Sequence, residues 1–269
     1  DSSMEITHVI RGEDHISNTP KQILIYNALG FKVPIFAHLP MILGEDNKRL
    51  SKRHGAAGVN EYRSMGYQPD ALLNYLALLG WNPGTEEEIF DLGSLVKNFD
   101  IKRVQKKSAT YDQKKFNWIS LQHLMKEDSV KVLNRLASID PEWGESKSQD
   151  YLIKVIDLMK PRSNSLIDLI NKSRYFFSSP KQFDSNQLQN IWKQDTAEEI
   201  IELKNVLDSI NSWAAIELES NFKSFAYQRG IGIGKVMQPM RFLICGSLQG
   251  PSLFDLMELI GKEESLKRI

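Results

Sequence analysis

A single strand, helix, strand pattern opens the chain and limits its possible folds, because from about Val59 onward a long stretch has scarce strand signals. Ile6-Thr7-His8-Val9-Ile10 is rich in β-branched residues and partly alternating, as suits a strand in a largely buried sheet. Ser17-Asn18-Thr19-Pro20 then offers an N-cap and a proline near a first turn. Ile23, Leu24, Ile25, Tyr26, Ala28 and Leu29 follow as apolar positions, and Gly30 closes a short helix. A second apolar run, Val33 to Leu43, is broken by Pro34 and Pro40 and leads into the polar turn Gly44-Glu45-Asp46-Asn47. One β-α-β crossover is implied. A doubly wound sheet needs more strands than this, so the chain either starts in the middle of such a fold or begins with a small α+β cap of its own.

Helical signals dominate the remainder, and the fold class expected is mainly α. Asp70 to Gly80 has an N-cap candidate, an apolar set wide enough for a buried helix and a terminating glycine. Trp81-Asn82-Pro83-Gly84-Thr85 reads as a turn, with Thr85 and Glu88 spaced as a capping box. Further helical patterns cover about 92–98, 112–117, 128–138, 149–158, 163–177, 195–218 and 252–260, while 140–150, with Pro141, Gly144 and several serines, reads as a loop. No repeat of fixed period is present.

The 269 residues suffice for about two domains with cores of their own. With Cys245 alone, neither an intrachain disulfide nor a cysteine-clustered zinc site can form, which fits a reducing cytoplasm. No apolar run reaches the roughly 18 residues of a membrane span. Lys and Arg number 34 against 34 Asp and Glu, a formal net charge of zero. That neutrality conceals a polarised chain. Residues 97–115 carry Lys97, Lys102, Arg103, Lys106, Lys107, Lys114 and Lys115 against Asp100 and Asp112, whereas 195–208 carries five acids against Lys204. The basic stretch suits either a phosphate-tracking surface for RNA or a solubilising lysine face.

Two local clusters could carry chemistry. Lys48-Arg49-Leu50-Ser51-Lys52-Arg53-His54-Gly55 gathers four positive charges and a hydroxyl soon after a candidate strand, as a loop that wraps a polyphosphate does, and also as a solvated basic loop does. Arg11-Gly12-Glu13-Asp14-His15 stands at the C-terminal end of the first strand, the edge where ligands sit in open parallel sheets. Arg11 could grip a substrate carboxylate with a two-pronged hydrogen bond, and Glu13 or Asp14 could accept from a ribose hydroxyl or an amine. Equally, Arg11 could pair with one of those carboxylates and tie strand to helix. None of His8, His15, His38, His54 and His123 is spaced as a metal pair.

Taken together these segments resemble bacterial glutamyl-tRNA synthetase, a class I aminoacyl-tRNA synthetase. The strings that carry the likeness are ITHVIRGEDHISNTPKQILIYNALG, FAHLPMILGEDNKRLSKRHGAAGVNEYRSMGYQPDALLNYLALLGWNPG, EIFDLGSLVKNFDIKRV, and MQPMR with GPSLFDLMELIGKE. They run in the family's order over almost the whole chain, weakest between about 126 and 235. The resemblance implies three parts: residues 1–47 from the C-terminal portion of a Rossmann-type catalytic domain, 48–125 a helical stem-contact region with the mobile loop, and 126–269 an all-α anticodon-binding domain.

The resemblance also implies roles. Arg49-Leu50-Ser51-Lys52-Arg53 is similar to the family's K-M-S-K-S loop, in which Lys52 contacts ATP and stabilises the departing pyrophosphate; the arginine at 49 keeps the charge of the usual lysine with another geometry. Arg11 matches the glutamate-binding position, Asp14 and His15 match positions beside the ATP ribose, and the backbone around Ile42 would meet the adenine. Arg162 and Arg241 correspond to residues that read unstacked anticodon bases, the alternative for each being a surface ion pair between helices. The implied activity is ligation of glutamate to tRNA(Glu), with ATP as substrate accompanied by Mg2+, in a cytoplasmic monomer with no metal site of its own. The family's His-x-Gly-His loop is not found in this sequence, so these residues are expected to be the C-terminal part of a longer enzyme and unable alone to form glutamyl-adenylate. The competing expectation is a non-catalytic tRNA-binding module. A glutaminyl enzyme is disfavoured because its anticodon domains are β-barrels.

Overall fold

The computed structural model describes residues 1–51 and 58–269, which form two compact units, Asp1–His123 and Leu124–Ile269.

In the first unit, β1 (His8–Gly12) runs through a 3-10 stretch, Glu13–Asn18, into α1 (Thr19–Ala28), and β2 (Ile35–Leu39) returns parallel to β1 with His8 opposite Ile35 and Gly12 opposite Leu39. The expected crossover is present. Its first strand lies two residues later than the β-branched run suggests. Pro34 and Pro40 bracket β2, each lacking the N–H that a ladder would use. Asn18 does not cap α1: because the 3-10 stretch leads straight into the helix, Asn18 is already helical and its side chain takes no N–H. Pro20 stands in the first turn and Gly30, at φ +67°, turns the chain out.

Next, β3 (Ile42–Leu43) pairs parallel with β4 (Ala109–Thr110), a strand too short to show in the sequence pattern. Gly44 N donates to Lys48 O and Leu50 N to Ile42 O, both at 2.8 Å, closing the polar turn on Asn47, whose φ is 58°. Helices α2 (Val59–Ser64), α3 (Pro69–Gly80), α4 (Leu92–Asn98) and all but the last three residues of α5 (Gln113–Lys126) complete the unit. The start of α3 differs from expectation, since Gln68 is the cap residue, Pro69 opens the helix and Asp70 lies within its first turn. Thr85 and Glu88 frame no helix; Thr85 Oγ1 accepts from Glu87 N at 3.4 Å, and Glu88 pairs with Lys115. The cap of α4 is Asp91, whose carboxylate takes Ser94 N at 2.6 Å.

The core of this unit is aromatic. Tyr62, Tyr75, Tyr111 and Phe116 are buried with Leu72, Leu79 and Ile119, and the rings of Tyr75 and Phe116 stand 5.1 Å apart. Asn74 is fully buried and satisfied: its amide donates to Glu88 O at 3.0 Å and accepts from Phe90 N at 2.9 Å.

The second unit is helical throughout its described elements: α6 (Ser129–Ile139), α7 (Gln149–Met159), α8 (Leu166–Ser173), α9 (Ser185–Ile191), α10 (Thr196–Ser209), α11 (Ala215–Gln228), α12 (Gly234–Cys245), α13 (Leu253–Ile260) and α14 (Lys262–Arg268). The segment expected to be one helix over 195–218 is two, because the chain leaves helical geometry at Ile210 and re-enters it at Ala215. Asp128, Ser148 and Ser165 cap α6, α7 and α8 with side-chain oxygens. One continuous core includes Val132, Leu136, Ile156, Leu203, Phe222, Met240 and Leu256, each fully buried. Among the described residues no helix is long and apolar enough to cross a membrane.

Candidate functional site

Each unit carries one group of candidate residues. In the first, β1 delivers Arg11 to the face of the two-stranded sheet that α1 covers, since Arg11 and its lateral partner His38 project to the same side. Its guanidinium donates to Thr19 Oγ1 at 2.8 Å and Gln22 Oε1 at 2.7 Å through Nη2, approaches His38 Nε2 at 3.5 Å through Nε, and lies 5.3 Å from the Phe36 ring centre. The expected pairing with a neighbouring carboxylate is not formed among the described residues; uncharged acceptors tie the side chain from strand to helix instead. Among the described residues Arg11 has no carboxylate partner, so its charge is oriented without being neutralised. Thr19, Gln22 and His38 were not foreseen; Thr19 and Gln22, three apart on the first turn of α1, share the face toward β1.

Glu13 accepts Met41 N at 2.9 Å, and Asp14 pairs with Arg49 at 3.5 Å. A side chain at position 12 would begin 2.5 Å from Asp14 Oδ1, so the bare glycine lets that carboxylate fold against the strand end. His15 Nδ1 and Asn18 Nδ2 are 3.4 Å apart. The carbonyl of Ile42 is occupied by Leu50 N. Lys48 is exposed and 3.7 Å from Asp46, and Ser51 follows at an exposed position. Lys52, Arg53 and His54 lie outside the described residues. The structure thus gathers Arg11, Glu13, Asp14, His15 and Arg49 at the C-terminal end of β1.

The basic segment 97–115 is exposed at Lys97, Lys102, Arg103, Lys106, Lys107 and Lys114. Its two aspartates are occupied with backbone N–H groups, Asp100 with Lys102 N and Asp112 with Lys114 N and Lys115 N. Arg103 donates to Pro83 O.

In the second unit Arg162 and Arg241 line one cavity of about 580 Å³ together with Asn171, Lys172, Tyr175 and Cys245, closed on one side by Ser247–Gly250. Neither arginine forms an ion pair among the described residues. Arg162 Nε donates to Gly250 O at 2.9 Å and its Nη1 to Leu158 O at 3.1 Å, while Arg241 Nη1 donates to Pro251 O at 2.7 Å. Both guanidinium groups are therefore fixed by main-chain carbonyls, and other N–H donors remain on each fork. Lys172 adds a third cation, donating to Arg162 O at 2.7 Å while paired with Asp168 at 2.8 Å. Burial pushes the Tyr175 phenol pKa well up, against the pull of Arg241 and Arg162. Its hydroxyl lies 3.3 Å from Met159 Sδ. A cavity with two oriented planar donors and an aromatic wall can take a flat, hydrogen-bonding group such as a base. Tyr175 and the 247–250 turn were missed in the sequence, where no charge or spacing marks them.

Among the described residues no cluster of three or more His, Cys, Asp or Glu side chains is placed to hold a metal ion.

Residues 1–118 match the family described as "tRNA synthetases class I (E and Q), catalytic domain", and residues 121–269 match "Anticodon binding domain". The chain is 39% identical over 277 residues to the glutamate–tRNA ligase of Moorella thermoacetica and 39% over 285 residues to that of Flavobacterium psychrophilum, in each case across 100% of this chain. It spans 56% and 57% of their lengths. A crystal structure of a glutamate tRNA ligase from Elizabethkingia meningosepticum, in complex with its amino acid, superposes with a TM-score of 0.80 at 34% identity, over 98% of this chain and 56% of that one.

Proposed function

Because the chain belongs to the class I tRNA synthetase family of the E and Q type, with its anticodon-binding domain, we propose that it works as part of a glutamate–tRNA ligase. Residues 1–47 contribute to the nucleotide-binding domain, 48–125 to the stem-contact region and 126–269 to the anticodon-binding domain. The reaction is ATP-dependent activation of glutamate to glutamyl-adenylate, followed by transfer to the 3′ end of tRNA(Glu), with pyrophosphate and then AMP released. Glutamate, ATP and tRNA(Glu) are the partners, and the enzyme is a cytoplasmic monomer.

Arg11 meets the substrate carboxylate. Its guanidinium is held by Thr19 and Gln22 and carries charge that no described carboxylate cancels. The glutamate α-carboxylate oxygen attacks the α-phosphorus of ATP, the bond to the bridging oxygen breaks, and pyrophosphate leaves with the electron pair. Negative charge grows on that leaving group, where Lys52, with Arg49, Ser51 and Arg53 beside it, stabilises it. Asp14 and His15 stand beside the ribose and the backbone at Ile42 meets the adenine. Mg2+ would enter with ATP and supply charge screening of its phosphates, while Glu13 and Asp14 hold Met41 N and Arg49. These residues alone are expected to give no glutamyl-adenylate, which pyrophosphate exchange into ATP measures directly.

The observation that carries the tRNA part of the reading is the convergence of Arg162 and Arg241 on one cavity. Arg241→Ala should weaken the binding of tRNA(Glu) by about 10-fold to 100-fold, the worth of a base-reading arginine, and a non-cognate tRNA much less. Equal losses for both would make Arg241 a phosphate contact instead.

A further inference from the structure

Arg268, on α14, has a side chain only 2% exposed. Its guanidinium takes three acceptors from three elements: Nη1 donates to Tyr175 O at 2.7 Å and to Ile244 O at 2.8 Å, and Nε to Glu264 Oε1 at 2.8 Å. Glu264 in turn accepts Ser179 Oγ at 3.0 Å. Ile244 O is among the last carbonyls of α12, which have no partner within the helix. Tyr175 and Cys245, the neighbour of Ile244, are both walls of the Arg162–Arg241 cavity, and Arg241 lies one turn earlier on α12. One buried cation therefore holds the turn that carries Tyr175 against the helix that carries Arg241.

We propose that Arg268 is a positioning residue that sets the separation of these two walls, and with it the sharpness with which the cavity distinguishes one unstacked base from another. The second half of this statement rests on the anticodon reading above; the first does not.

Two measurements on the whole chain test it. Cys245 is the chain's one cysteine and is buried in the cavity wall, so the rate at which a thiol reagent labels it under native conditions reports the wall directly. Arg268→Ala should speed labelling by about 10-fold or more over Val132→Ala, a core change elsewhere in the unit that serves as a control for general loosening. Arg268→Lys, which keeps a buried cation but loses the planar fork, should fall between and covers the case in which the alanine variant fails to fold. In parallel, Kd is measured for tRNA(Glu) and for a transcript with one altered anticodon base. Arg268→Ala should lower the ratio of the two by about 10-fold, and Arg241→Ala/Arg268→Ala should discriminate no worse than Arg241→Ala alone.

Labelling no faster than in the control overturns the proposal whatever the tRNA does. Faster labelling with an unchanged ratio, in a protein where Arg241→Ala does lower it, also overturns it. If Arg241→Ala weakens both transcripts equally, the anticodon reading fails, and the positioning role is judged on labelling alone.

Discussion

Arg49 Nη2 lies 3.5 Å from Asp14 Oδ2, so the basic turn after β3 is tied to the end of β1 by a pair whose side chains are 69% and 37% exposed. An ion pair so open to water contributes under about 1 kcal/mol to stability. Asp14→Asn should therefore leave the urea unfolding midpoint of the chain nearly unmoved. Placed in a ligase of the relatives' length, the same change should raise KM for ATP. A large loss of stability would show instead that Asp14 is a structural residue.

Arg11 is different, because its fork is engaged on a partly buried face by Thr19, Gln22 and the Phe36 ring. Removing a charged donor from such acceptors costs about 1.5–3 kcal/mol. Arg11→Ala should lose that much in urea unfolding. Arg11→Lys should recover part of the stability, yet in a full-length ligase it should still raise KM for glutamate about 10-fold or more, since a point charge does not reproduce a planar fork. A wild-type KM in the lysine variant would remove Arg11 from the substrate pocket.

What could be read in the sequence follows from how local the determinants are. The βαβ unit is legible because Pro34, Pro40 and Gly30 punctuate it, and α6 because Asp128 takes Val130 N and Lys131 N at its start. Helix α12 was missed: it starts at Gly234 and carries Pro239 in its interior, so local preference argues against it. Packing overrides that preference, with Val236, Met240, Phe242 and Ile244 all fully buried. The break between α10 and α11 was missed for the converse reason, because apolar spacing continues across a segment whose backbone is extended at Ile210 and Ala214.

The candidate sites divide along the same line. Charges at Arg11, Arg49, Arg162 and Arg241 are visible as letters, but their partners are not, since Gly250 O and Pro251 O are main-chain acceptors that any residue could supply. Arg162 and Arg241 come together only because α12 and the turn after α7 pack in one core.

The aromatic core of the first unit gives an alkaline limit. Burial raises the Tyr75 phenol from 10.0 to about 12, and its hydroxyl donates to Asp112 O at 3.0 Å while accepting Asp112 N at 2.7 Å. Tyr111, paired with the Tyr62 hydroxyl at 2.8 Å, is raised further by burial. The folded state favours the neutral phenols, so the contribution of Tyr75 is complete below the unfolded value near 10.0 and is lost as pH rises through about 12, while that of Tyr111 is lost higher still. The share of the tyrosinate absorbance that Tyr75→Phe removes should appear together with loss of helical circular dichroism in that window. Titration at the ordinary tyrosine pKa with the fold intact would contradict this.

At the acid end the sign reverses for Glu264. Its carboxylate is held below the ordinary range chiefly by the hydrogen bond from Arg268, with Ser179 adding to it. That stability is present above the unfolded Glu pKa and is lost as pH falls through the lower folded value. Glu264→Gln should be less stable than the parent near neutrality, and the difference should shrink on acidification. A constant difference across that range would mean that Glu264 titrates alike in both states.

Lys52 lies outside the described residues, so its prediction rests on the family's loop and on Arg49 and Ser51, which lead into it from the closed turn on Asn47. Pyrophosphate leaves with growing negative charge, and one well-placed cation there is worth about 3–4 kcal/mol in the transition state. In a ligase of the relatives' length, Lys52→Ala should lower the rate of pyrophosphate exchange by about 100-fold or more, with a much smaller change in tRNA affinity. A loss seen mainly in tRNA binding, with exchange intact, would place the loop on the RNA and leave the leaving group to other cations.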